Sequence, residues 1–140
     1  MCKKIIGYTT GVFDMFHIGH LNLLKNAKKQ CDYLIVGVTI DSLVAYKNKK
    51  TIIPFEERKA IVEHINFVDC VVPQETMHKM EAFHKYHFDI MFVGSDWQGS
   101  ETWNRLEEEF VDVGVTIKYL PYTAGTSSTI LRETLQKINA

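Results

Sequence analysis

Gly11-Val12-Phe13-Asp14-Met15-Phe16-His17-Ile18-Gly19-His20 joins two segments of different periodicity. Before it lies the apolar run Ile5-Ile6-Gly7-Tyr8, which reads as a strand; after it, Leu21-Asn22-Leu23-Leu24-Lys25-Asn26-Ala27 carries its apolar residues at helical spacing. The decapeptide is therefore a strand-to-helix turn. A helix that opens near Gly19 turns its unpaired N–H groups and the positive end of its dipole back on that turn, where an anion is the natural occupant. His17 and His20, three residues apart, share one side of the first helical turn and can reach a common group such as a phosphate. Half of a zinc site is the competing reading, but the other candidate ligands, Asp14, His84 and His87, form no set at metal spacing.

Working outward, apolar runs rich in Val and Ile recur at Tyr33–Val38, Phe67–Val72, Ile90–Val93 and Val115–Leu120, none with the clean alternation of a strand that has one wet face. Strands covered on both faces read this way. Between the runs lie helical patterns. One opens at Pro54 and turns Ile61, Val62 and Ile65 inward; another runs from about Glu75 to Tyr86, with His78, His84 and His87 on its polar face. A third, from Glu101 to Val113, aligns Trp103, Leu106, Phe110 and Val113 and stops at Gly114; the last begins near Ser128, capped by hydroxyls from Thr126 to Thr129, and packs through Ile130, Leu131, Leu135 and Ile138. Strict alternation of strand and helix predicts a Rossmann-like, doubly wound α/β fold over residues 1–140, with about five parallel strands and helices on both faces. The histidine turn follows the first strand and so belongs at the ligand crevice; residues Lys47 to Ile53 form a loop that overhangs it.

Composition narrows the partners. Sixteen basic against seventeen acidic residues give a net charge of −1, which offers no general pull toward nucleic acid or a membrane surface. No apolar run has the length of a membrane span or signal segment. Three cysteines, Cys2, Cys31 and Cys70, make an odd number, and two of them sit beside apolar runs, as reduced thiols of a cytoplasmic protein do.

The decapeptide also resembles the GTFDxxHxGH signature of the cytidylyltransferase family of nucleotidyltransferases. The resemblance extends in order through Lys47-Asn48-Lys49-Lys50, Glu57-Arg58-Lys59, Phe67-Val68-Asp69, Gly94-Ser95-Asp96-Trp97 and Gly125-Thr126-Ser127-Ser128-Thr129. It implies an enzyme that moves CMP from CTP to a small phosphorylated alcohol, with glycerol 3-phosphate as the leading acceptor, and that works as a homodimer. His17, His20, Lys47 and Lys49 would surround the transferred phosphate. Gly11, Val12, Phe13, Asp14, Gly19, Arg58, Asp96, Trp97, Ser127, Ser128 and Thr129 would bind the nucleotide. Phosphoryl chemistry needs positive charge where charge accumulates in the transition state, and little general base when the attacker is itself a phosphate. With few carboxylates available, no protein metal site is expected; Mg²⁺ would come with the triphosphate, and Asp14 would hold it through water or brace the turn.

Each piece has a plainer reading: a solvated lysine loop, a surface Arg58 paired with its acidic neighbours, a simple helix cap at Ser127 to Thr129. The sequence also departs from the family, with Asn66 and Tyr122 where arginine is common, Ser95 for an acidic residue and Val12 for threonine. The two missing arginines predict a crevice poorer in positive charge and a different grip on the triphosphate or the acceptor. An adenylyltransferase on the same fold and a non-catalytic nucleotide-binding module are the alternatives.

Overall fold

Five short strands, β1 (Ile6–Gly11), β2 (Tyr33–Thr39), β3 (Cys70–Gln74), β4 (Ile90–Gly94) and β5 (Thr116–Leu120), form one parallel sheet in the order β3-β2-β1-β4-β5. Six helices accompany them: α1 (Ile18–Lys28), α2 (Asp41–Tyr46), α3 (Phe55–Glu63), α4 (Lys79–Tyr86), α5 (Glu101–Asp112) and α6 (Ser128–Ile138). The computed structural model describes residues 4–46, 50–123 and 127–138, with the backbone alone at Tyr46 and Ser128. Lys47, Lys49, Cys2 and Thr126 therefore lie outside the described residues.

The strands read as continuous apolar runs because each face of the sheet has its own core. Leu34, Val36 and Val38 of β2 and Phe92 of β4 enter one layer with Leu24 and Ala27 of α1 and Val62 of α3. Tyr8, Ile35 and Met91 enter the other with Phe83 of α4 and Trp103 and Phe110 of α5. Successive strand residues thus point alternately into two apolar layers, and the predicted doubly wound α/β sheet is the result. Pro73 sits in β3, an edge strand of the sheet, where a missing donor is tolerated.

Helix ends follow local chemistry. Ser100 Oγ accepts the Trp103 N–H at 3.4 Å and opens α5, and Gly114, at φ 80°, supplies the left-handed turn after Val113 that ends it. Pro54 stands one position earlier than expected, as the residue flanking α3. Of the residues expected to face inward there, Val62 is buried and Ile65 half-buried, but Ile61 is 41% exposed, because α3 covers only the β2 and β3 edge with a single stripe. Val113 is likewise exposed at the end of α5. The larger correction is α6. Ile130, Leu135 and Ile138 are exposed and only Leu131 is half-buried, so the amphipathic pattern marks a face that this chain alone leaves uncovered.

The strand order reverses between β1 and β4, so the crevice expected of such a sheet opens at their carboxyl ends, Gly11 and Gly94.

Candidate active site

β1 ends at Gly11, and the turn that follows is bent sharply: Phe13 and Met15 adopt φ values of 54° and 49°, a region side-chain-bearing residues seldom occupy. Two buried charged residues hold it there. Arg58, 1% exposed, donates from Nη1 to the carbonyls of Val12 and Thr39 at 2.7 Å each, from Nε to the Ile53 carbonyl at 2.8 Å, and from Nη2 to Asp41 Oδ1 at 2.6 Å. Asp14, also 1% exposed, accepts the N–H groups of Ile52 and Ile53 at 2.9 Å and Nη2 of Arg132 at 2.9 Å. Burial alone lifts the Asp14 carboxyl's pKa, yet these donors outweigh it and hold it below the ordinary carboxylate value.

This corrects the expectation for Arg58. Its side chain is fully enclosed under the turn, four of the five guanidinium N–H groups are spent on the protein, and it does not line the cleft. It braces the turn from below, turned away from the cleft.

The turn delivers the two histidines as one unit. His17 Nδ1 accepts the Gly19 N–H at 3.0 Å, and His20 Nδ1 accepts the His17 N–H at 3.2 Å, so the imidazoles together cap the first turn of α1. Their rings stack with centroids 3.9 Å apart, and the buried Phe13 ring meets His20 edge-on at 5.4 Å. Because each Nδ1 faces a backbone donor, the neutral ring must carry its proton on Nε2. Burial lowers the pKa of both; for His20, burial and then the neighbouring His17 bring it from 6.5 to about 4. Near neutrality the pair is therefore two uncharged N–H donors at the positive end of a helix.

A stability consequence follows with a definite sign. Between pH 6.5 and about 4 the unfolded chain takes up a proton at His20 that the folded chain refuses, so this contribution is present above 6.5 and is lost as pH falls toward 4. Denaturant midpoints across that window should fall more steeply for the unaltered protein than for His20→Gln; parallel curves would contradict the buried, neutral imidazole.

These groups open on a cleft of about 780 Å³. Gly11, Val12, Phe13, Asp14, His17, Gly19, His20, Trp97, Ser127 and Thr129 all line it. Asp96 does not. Its carboxylate accepts the Tyr122 hydroxyl at 2.8 Å, and Tyr122 lies so close over Gly94 that a Cβ there would stand 2.4 Å from the hydroxyl oxygen. Burial and Asp96 together push the Tyr122 hydroxyl up to about 12. Asn66 is exposed and outside the cleft, so the absent arginine there removes no charge from its described walls.

The sequence reading missed Arg132. It reaches the cleft from α6, holds Asp14 with Nη2, and leaves its Nε buried without a partner among the described residues. The signal was present: Arg132 follows Ser128 and Thr129 by four and three residues, which puts it on the same face of the helix as those candidate phosphate hydroxyls. Asn22 Nδ2 donates to Thr123 Oγ1 at 2.9 Å and ties the approach to α6 back to α1.

A neutral donor pair at a helix N-terminus, placed where a doubly wound sheet reverses its strand order, defines an α/β protein built to bind a phosphorylated ligand such as a nucleotide. The chain belongs to the family described as cytidylyltransferase-like, which matches residues 8–134, and is a nucleotidyltransferase of that family. It is 36% identical over 137 residues to the glycerol-3-phosphate cytidylyltransferase of Bacillus spizizenii, with 97% of this chain and 99% of that one covered. To the protein of the same name from Staphylococcus aureus it is 34% identical over 134 residues, with 95% of each covered. An FAD synthase of Ferroglobus placidus is 35% identical over 105 residues, covering 75% of this chain and 67% of the other. Among solved structures, a lipopolysaccharide core biosynthesis protein from Thermoplasma volcanium superposes with a TM-score of 0.73 at 28% identity, over 89% of this chain and 100% of that one.

Proposed function

We propose that this enzyme transfers CMP from CTP to a small phosphorylated alcohol, with glycerol 3-phosphate as the simplest acceptor, and releases pyrophosphate. The paired Nε2–H donors carry the reading. They form a charge-neutral, fixed donor site at a helix N-terminus, suited to an α-phosphate whose equatorial oxygens gain charge during transfer. An oxygen of the acceptor phosphate attacks the α-phosphorus, the bond to the bridging oxygen of pyrophosphate breaks, and no covalent enzyme intermediate is needed. Arg132 adds a cation beside the histidines, and Ser127 and Thr129 add hydroxyls at the start of α6. Lys47 and Lys49 keep their proposed place around the transferred phosphate, and Ser128 and Asp96 their proposed part in holding the nucleotide.

Among the described residues no three His, Cys, Asp or Glu side chains converge as a metal cage, and both Asp14 oxygens already receive donors. The residues thus fit a Mg²⁺ carried by the triphosphate, where it neutralises the β and γ charges. We also place the enzyme in the cytoplasm as a homodimer: Cys31 and Cys70 are unpaired, and α6 offers an uncovered apolar face. Among the described residues no helix is long and apolar enough to cross a membrane.

Pyrophosphate release from each of the four ribonucleoside triphosphates, with Mg²⁺ and glycerol 3-phosphate, tests the proposal. CTP is expected to exceed the others by about tenfold or more, in line with discrimination by hydrogen bonds to the base. Preference for ATP would move the protein to the adenylyl class, and triphosphate binding without release would make it a binding module.

A further inference from the structure

We propose that the preferred acceptor is a phosphate ester with an apolar or aromatic body, seated in the part of the cleft that runs between α4 and α5. This rests on the transferase reading and refines its second substrate. Beyond the histidine turn the cleft continues along the β3–α4 connection and the inner face of α5, where its walls are Met77, Met80, Met91, Val93, Trp103 and Leu106. Met91 and Trp103 are buried and make a fixed floor; Met80 and Leu106 are half-buried flanks, and Met77 is 39% exposed at the entrance.

The polar side chains of that half are either engaged within the protein or exposed to solvent. Gln74, the buried amide of that half, accepts the Thr39 hydroxyl at 2.5 Å and donates to the Thr76 carbonyl at 3.3 Å, so it is engaged within the protein. Among the described lining residues the charged groups of that half are His78, Glu109 and Arg105, all exposed, with Arg105 paired to Glu101 at 3.4 Å, and Lys79, half-buried and already engaged within the protein. A hydroxyl brought against this wall loses water without gaining a partner, whereas a methylene or a ring gains by leaving water. Methionine flanks adapt their shape to such a body, and the buried Trp103 ring adds an aromatic end.

Position separates this region from the nucleotide. His17, His20 and α1 stand over the layer built on Leu24 and Phe92, while Met80, Val93 and Leu106 pack against the opposite layer built on Tyr8 and Phe110. The two layers meet at the carboxyl ends of β1 and β4. An acceptor whose body lies on the α4–α5 side therefore presents its phosphate at that crest, next to the histidines.

The test uses methyl, propyl and hexyl phosphate, phenyl phosphate and glycerol 3-phosphate. Each is titrated calorimetrically without nucleotide, and then assayed by pyrophosphate release with CTP and Mg²⁺. Affinity should rise about fourfold per methylene, and phenyl phosphate should exceed glycerol 3-phosphate about tenfold or more in kcat/KM. Met77→Gln, at an exposed position that spares folding, and Leu106→Gln should flatten the chain-length dependence and leave methyl phosphate within about twofold. Affinity independent of chain length, glycerol 3-phosphate ahead of hexyl and phenyl phosphate, or an unchanged slope in both variants would overturn the proposal. Chain-length-dependent binding without pyrophosphate release from any triphosphate would uphold the groove and remove the transferase reading instead.

Discussion

Replacing His20 by alanine is expected to lower kcat by about a hundredfold or more with little change in KM for CTP, because the lost Nε2–H acts on charge that appears only in the transition state. His17→Ala should cost a similar factor; each variant also loses an Nδ1 that accepts a backbone N–H of the cap, from His17 in one case and from Gly19 in the other, and so mixes in a loss of about 1 kcal/mol of stability. His17→Asn separates the two effects. Asparagine restores a good cap without reproducing the imidazole's outward donor, so thermal stability should recover while turnover stays low. His84, on α4 and away from the cleft, serves as control. If His17→Asn restores turnover together with stability, the imidazole is only a cap and the site assignment fails.

The second large effect is expected at Arg58. Arg58→Met strands the carbonyls of Val12, Thr39 and Ile53, which should destabilise the fold by roughly 3 kcal/mol or more and lower the melting temperature by about 10 °C. Arg58→Lys should recover little of this, since an ammonium on a flexible stem cannot span the same four acceptors as a planar fork. Turnover should fall in step with stability, because the Val12 carbonyl is part of the turn that aims the histidines. A variant that melts normally but needs far more CTP would instead mean that Arg58 touches phosphate directly, against its enclosure under the turn.

The fold was legible because strand residues buried on two faces write unbroken apolar runs, as Leu34 to Val38 do, and because glycine, proline and hydroxyl residues mark the breaks between elements. The histidine turn was legible for a related reason: a helix cap and an anion site are one geometry, so the local chain displays both. What escaped were contacts between distant segments. Arg58 was read as a phosphate contact, or in the plainer reading as a helix-surface residue paired with Glu56 and Glu57, whereas its real partners are three main-chain carbonyls and Asp41, which no sequence pattern announces. Tyr122 read as a lost arginine near the acceptor, but its hydroxyl is committed to Asp96. The α6 pattern was read correctly as amphipathic and wrongly as packed, since periodicity reports an apolar face and not what covers it.

The hydrogen bond from Arg132 to Asp14 joins residues 118 positions apart, and it fastens the same carboxylate that gathers the Ile52 and Ile53 amides. On a chain still leaving the ribosome, β1, α1 and β2 can begin to associate early, because their contacts are close in sequence. The catalytic turn has no such shortcut. Until α6 has been synthesised and has docked, Asp14 lacks its guanidinium partner, so a nascent chain can pair its first two strands well before the turn beside them is fastened. Synthesis order thereby becomes a timer: the turn is fastened only once Arg132 has joined it.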